Sequence, residues 1–198
     1  MNEPLYLTEL ELDAAFCHNH RMTDAYSMHR VVYSMFPKEN DPVRILYVDR
    51  GVIKGMRKVL LLSRIMPEIP EDVSASVRKI SEKFFSADRY RFEIILNPVK
   101  CDSETKKRKA VTGQLPLLNY FTGRMNQWGF EADLNHLEVI SLPSISFECN
   151  SKPYRFNRAK FRGILTVTDM ELFRKTFASG IGHGKAFGFG LLQLVPIQ

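Results

Sequence analysis

Cysteine is scarce in this sequence. Three are present, Cys17, Cys101 and Cys149, and no two form a CxxC pair. So thin and scattered a set excludes a disulfide framework and fits a reducing compartment, the cytoplasm. Long apolar runs are missing too: no stretch approaches the roughly 20 residues of a membrane span, and the opening MNEPLYLTELELD has no basic segment followed by an apolar one. Neither export nor membrane insertion is expected. The carboxylates contain no DxD or paired-glutamate arrangement, which argues against two-metal nuclease chemistry. In FCHNH, Cys17, His18 and His20 offer three donors within four residues, but no second cluster supplies a fourth ligand at zinc-site spacing, and no metal is expected.

Acidic residues are in short supply in only one half of the chain. Residues 1–99 hold 14 Lys/Arg and 14 Asp/Glu, whereas 100–198 hold 14 and 8, so the second half carries the whole net charge of +6. Such asymmetry favours nucleic acid or another polyanionic partner. Hydrophobic residues make up 44% of the 198, ample for a packed core in one large or two small domains.

The densest motif is GIGHGKAFGFG at 180–190, five glycines in eleven residues. Glycine admits φ > 0 and lets bare N–H groups approach a phosphate, while His183 and Lys185 add hydrogen-bonding or cationic tips. A mononucleotide P-loop is excluded, because Ala186 follows Lys185 where Ser or Thr is needed, and the first glycine of that pattern would fall on Ser179. A dinucleotide fingerprint is excluded by order: residues 169–177 read as a helix before the glycines, a strand over 191–197 follows them, and only eight residues remain after Gly190. No small-molecule cofactor is expected. The loop sits at a helix-to-strand return and suits contact with a polyanion.

Periodicity predicts a strand over 5–12, an amphipathic helix over 23–36 with Thr23 as N-cap, strands over 43–49 and 58–65, a helix over 74–85 and a strand over 90–96. That order is βαββαβ. The second half repeats it: a helix over 116–128 stopped by Gly129, extended segments over 137–142 and 144–148 around Pro143, a strand over 161–167, and a last helix with Thr168 and Glu171 as capping box. The expected fold class is α+β, two tandem ferredoxin-like (RRM-like) βαββαβ domains at 1–97 and 98–198. Trp128, at a helix end, is expected in the core.

Chemistry concentrates on the first long helix. Ala25, Met28, Val32 and Met35 form its apolar stripe, while Tyr26, His29, Arg30 and Tyr33 fall at i, i+3, i+4 and i+7 on another. A phenol and an imidazole one turn apart can approach one substrate atom, and Arg30 can hold a neighbouring phosphate. Those groups suffice for RNA cleavage, in which a ribose 2′-OH attacks the adjacent phosphorus. Most helical Tyr-x-x-His pairs are half-buried surface residues, and it is the conjunction with the terminal glycine loop that points to catalysis.

Two motifs together, YSMHRVVYSMFP at 26–37 and SGIGHGKAFGFGLLQL at 179–194, resemble the CasE family, the CRISPR repeat-processing endoribonucleases of type I-E Cascade systems. LYLTELEL, LNPVK and FRGILTVTD extend the resemblance over almost the whole chain. It implies metal-independent cleavage of CRISPR repeat stem-loop RNA, leaving a 5′-hydroxyl and a cyclic 2′,3′-phosphate, after which the enzyme stays bound to the guide RNA with other Cascade protein subunits. It further implies His29 as general acid or base and Tyr26 as the group that orients the hydroxyl or stabilises the transition state. Gly182, Gly184, Gly188 and Gly190, with Lys185, match the family's glycine-rich loop, and Gly180 opens it. His183 stands where a family member need not have histidine, and is expected to be a phosphate or packing contact or else an exposed loop residue.

The basic residues of the second half are candidates for the stem-loop groove. Arg155, Arg158, Lys160 and Arg162 recur in PYRFNRAKFRG among Tyr154, Phe156 and Phe161, and alternation along a strand implies that only some of them face RNA. Lys106 to Lys109 form a second basic patch. A non-catalytic RNA-binding scaffold of the same build is the alternative, with Tyr26 and His29 serving packing or RNA contact.

Overall fold

The computed structural model describes residues 4–37, 44–105, 108–149 and 151–197. The chain is α+β, built on two larger antiparallel sheets. The first begins with β1 (Tyr6–Leu12), whose Thr8, Leu10 and Leu12 turn to one face and are buried, as period-2 alternation requires. After the short α1 (Ala14–Asn19) comes α2 (Ala25–Ser34), then β2 (Ile45–Ile53), β3 (Met56–Ser63) and β4 (Ser74–Lys79). The sheet order is β2-β3-β1-β4. Helix α2 lays Met28, Val31 and Val32 on it, against Leu10, Leu12, Tyr47, Val59 and Leu61.

Two expectations fail here for physical reasons. The N-cap of α2 is Asp24 rather than Thr23: its carboxylate accepts from Ser27 N at 2.7 Å, and Ser27 Oγ accepts in return from Asp24 N at 3.0 Å. Residues 74–85 are not a helix but strand β4 and a 3-10 turn at Glu82–Ser86. The apolar positions that suggested a helix serve two cores: Val73 packs under α2, whereas Ile80, Phe84 and Phe85 pack with the second sheet. Pairing from Tyr6↔Lys79 to Glu11↔Ser74 then satisfies the open edge of β1, and tertiary context outweighs local pattern.

The second sheet starts with β5 (Arg89–Leu96), which was expected to close the first unit. It pairs instead with β10 (Lys152–Val167) and β11 (Gln193–Pro196), in the order β11-β5-β10-β8, with β8 being Phe130–Ala132. The change of sheet therefore falls between Lys79 and Arg89. A small hairpin of β6 (Val99–Cys101) and β7 (Arg108–Ala110) leads to α3 (Gln114–Thr122), shorter than expected, and a 3-10 turn at Met125–Trp128 that Gly129 ends in the left-handed conformation, φ 79°. Lys106 and Lys107 lie outside the described residues, as does Val43. Trp128 packs on Phe121 and Phe130, ring centroids 5.3 and 5.8 Å away.

The segments around Pro143 form one strand, β9 (Glu138–Cys149), in a long hairpin with β10. Among the described residues β9 pairs only with β10, and the register shifts between Phe156 and Arg158 beside Pro143, so its missing N–H falls at an irregularity. Helix α4 (Met170–Ser179) is capped by Asp169, which accepts from Leu172 N at 2.9 Å, rather than by Thr168. The second core runs through Phe92, Phe121, Phe130, Phe161 and Phe173. It also takes Leu46, Val48, Leu60 and Leu62 from the far face of the first sheet, which joins the two sheets.

Candidate active site

The capping box starts α2 one residue before Tyr26, and the burial of Met28, Val31 and Val32 fixes the rotation of the helix. That rotation turns Tyr26 and His29 toward the glycine-rich segment and the β9–β10 hairpin. His29 Nδ1 lies 2.9 Å from the carbonyl oxygen of Ala186. A carbonyl only accepts, so Nδ1 carries the proton and the neutral ring keeps its lone pair on Nε2. The ring stands against Tyr33 at 4.2 Å and Phe187 at 5.4 Å. Burial holds its pKa below the ordinary histidine value, opposed by the bond to Ala186.

Tyr26 lies parallel to His29, ring centroids 6.2 Å apart at 19°, and its other neighbour is Phe147, also at 6.2 Å. Its hydroxyl meets the Cys149 thiol, which raises the phenol pKa, and Arg30 Cζ sits 5.8 Å from the ring. The phenol therefore remains a neutral donor near pH 7, with an exposed guanidinium beside it. Phe147, Tyr154, Phe156 and Phe187 continue the aromatic wall, with Phe147–Phe187 centroids 4.6 Å apart.

The glycine loop is a structural pedestal. Gly180, Gly182, Gly184, Gly188 and Gly190 all have positive φ. Ile181 N donates to Gly190 O at 2.9 Å and closes the loop, and Gly190 N donates to Ile95 O at 2.9 Å and fixes it to β5. Between these ties a 3-10 turn at Lys185–Phe187 delivers Ala186 to His29. Buried Tyr47 reaches the same carbonyl, its hydroxyl donating at 3.1 Å. Lys185 turns back, its Nζ donating to Ser179 O at 2.8 Å at the C-terminus of α4, and burial with nearby Arg44 lowers its pKa. His183 is exposed beside Arg124 and Trp128, its pKa lowered by partial burial and by the charges of Arg108 and Lys185.

The hairpin cations divide differently. Arg158, Lys160 and Arg162 line a cavity of about 1400 Å³ between the facing sheets, whose walls include none of Tyr26, His29 or Ala186. Lys160 pairs with Glu93 at 3.0 Å and Arg162 with Glu138 at 2.8 Å. Arg155 lies beyond the register shift, exposed, its Nε donating to Ser144 Oγ at 3.2 Å. The arrangement thus brings together Tyr26, His29, Arg30 and the glycine loop, and sets Arg158, Lys160 and Arg162 apart. Of the early metal candidates, His20 stacks on Phe16 at 4.1 Å.

The sequence reading missed Ala186 and Tyr47: the first acts through its backbone, and the second sits in an apolar run, ILYV, that reads as core.

A family profile described as CRISPR associated protein matches residues 5–196. The chain belongs to that family. Within it, the CRISPR system Cascade subunit CasE of Escherichia coli K12 is 26% identical over 187 residues, covering 88% of this chain and 93% of the relative. The resemblance to CasE in the two motifs is therefore matched over most of the chain. Two solved structures share the fold. Thermus thermophilus Cse3, bound to an RNA representing a pre-cleavage complex, aligns with a TM-score of 0.83 at 24% identity, covering 98% of this chain and all of that one. Cas6e from Escherichia coli K-12 aligns at 0.75 and 20% identity, covering 97% of this chain and all of its own. No helix among the described residues is long and apolar enough to cross a membrane.

Proposed function

We propose that the protein is a metal-independent endoribonuclease that cleaves CRISPR repeat stem-loops and remains on the product as a subunit of a Cascade complex in the cytoplasm. The observation that carries this reading is the bond from His29 Nδ1 to Ala186 O, which leaves the proton-accepting nitrogen of a histidine with lowered pKa beside Tyr26. In this mechanism His29 Nε2 takes the proton of the ribose 2′-OH. The oxygen attacks the adjacent phosphorus, the bond to the 5′ oxygen breaks, and that oxygen takes a proton from solvent water as the His29 imidazolium returns its proton to solvent, giving a cyclic 2′,3′-phosphate and a 5′-hydroxyl. Tyr26 donates its hydroxyl to the phosphorane oxygen or orients the nucleophile, and Arg30 neutralises a neighbouring phosphate.

The scaffold fits two ferredoxin-like units. In the first, β4-β1-β3-β2 is the order that a βαββαβ unit gives, with the second helix replaced by the loop before β4. In the second, β11-β5-β10-β9 repeats that order with α3 and α4 as its helices. The unit boundary then falls before β5, earlier than residue 97.

The test is to incubate the pure protein with its repeat RNA, with and without EDTA, and map the ends. Cyclic phosphate and 5′-hydroxyl ends in both, lost in His29→Ala with stem-loop affinity retained, support the reading. Tight binding with no cutting by the wild type would make the protein a non-catalytic RNA-binding scaffold.

A further inference from the structure

We propose that Tyr47 is a positioning residue for His29, acting through the one backbone carbonyl that both side chains share. The inference rests on the nuclease reading for its consequence, and on geometry for its substance. Ala186 O accepts from His29 Nδ1 at 2.9 Å and from the Tyr47 hydroxyl at 3.1 Å, so its two lone pairs are both engaged. The two donors approach from different elements, α2 and the first half of β2.

Tyr47 is suited to this. It is 1% exposed, in a run of buried residues from Ile45 to Val48 that the β2–β3 ladder holds. Burial pushes its phenol pKa well above the usual range, with Tyr33 and Asp49 adding to the shift and Arg57 opposing it, so it stays a neutral donor. The glycine loop rests on its ring: a Cβ at Gly188 would stand 3.2 Å from Tyr47 Cε2. Within the turn that presents Ala186, Phe187 N donates to Gly184 O at 2.8 Å. Tyr47 adds a tie from the first sheet to the carbonyl itself. Which ring nitrogen of His29 is protonated follows from where that carbonyl sits, and with it which nitrogen faces the cleft.

Tyr47→Phe keeps the ring under Gly188 and removes only the hydroxyl. Two readouts test it on the full chain. Without RNA, ring ¹⁵N–¹H correlation spectra should show His29 as the Nδ1–H tautomer in the wild type, with a substantial population of Nε2–H in Tyr47→Phe. With repeat RNA, the single-turnover cleavage rate should fall about tenfold while the Kd is unchanged. A wild-type His29 protonated on Nε2, or a variant whose tautomer is unaltered, overturns the proposal. Should Tyr47→Phe fail to fold, the wild type still decides. Two protons on one oxygen require a cross-peak between the Tyr47 hydroxyl and His29 Hδ1, and its absence is fatal. A wild type that binds but never cuts overturns the nuclease reading while leaving the tautomer result to stand alone.

Discussion

His29 and Ala186 are 157 residues apart in sequence and 2.9 Å apart in space, imidazole Nδ1 to backbone carbonyl. That contact joins the two sequence motifs, 26–37 and 179–194, that resemble the CasE family. It also explains why the glycines are needed: only a loop that passes repeatedly through positive φ brings a carbonyl down onto a helix while its ends stay tied to each other and to β5.

On the proposed mechanism, the pH dependence of cleavage follows from the burial of His29. Its folded pKa lies below the ordinary value of about 6.5. A general base works when neutral, so the rate should hold as pH drops to about 6.5 and fall only below it. The same shift makes the folded state the weaker proton binder. The stability that His29 contributes is present above its unfolded pKa and is lost as pH falls through the folded one. Single-turnover rates from pH 5 to 8 check the first point; an acid limb centred above 7 would refute base catalysis by this residue.

Tyr26→Phe isolates the phenol, because the ring can still lie beside His29 and Phe147. Removing a donor that acts in the transition state should slow cleavage about 10- to 100-fold. Stem-loop affinity should stay within about twofold, since a ring stack and Arg30 remain. An unchanged rate would restrict Tyr26 to packing.

Much of this site was legible in the sequence, for identifiable reasons. Tyr26 and His29 stand on a strongly periodic helix, and five glycines cannot be mistaken for a packed element. Residues 74–85 were not legible, because Val73 and Phe84 feed separate cores and a spacing count treats them as one face. Nor was the allegiance of β5, whose alternation is the same whichever sheet it joins; pairing with β10 is a long-range choice. Which of the β10 cations share a face was not legible either: the shift at Phe156/Arg158 puts Phe156 with the core and leaves Arg158, Lys160 and Arg162 on the groove. Ala186 was invisible, since any residue type carries its carbonyl.

Asp24→Ala removes the cap that begins α2. Loss of such a cap costs about 1 kcal/mol, and the first turn, which bears Tyr26, is where fraying starts. Urea unfolding should show that loss in the midpoint with the slope unchanged. On the proposed mechanism cleavage should fall more than RNA affinity, because the reaction would depend on the turn that bears Tyr26. Equal loss of both would mean that α2 contributes binding alone.

The glycines of the loop should not respond alike to alanine, although their φ values are similar. Gly182 has φ +77°, and a Cβ there would find only Leu96 Cδ2 at 3.6 Å, so the cost is that of the left-handed backbone, about 1 kcal/mol. Gly190 has φ +82°, and its Cβ would stand 2.3 Å from the Ile181 carbonyl oxygen, which belongs to the strap that closes the loop. Backbone cannot swing aside as a side chain can. Gly190→Ala should therefore lose about 3 kcal/mol or more, together with cleavage, as the Ile181–Gly190 closure opens and Ala186 leaves His29. Thermal melts of the two variants measure the difference. Equal shifts would mean that the loop is tuned for backbone conformation alone, with close approach between its two ends contributing nothing.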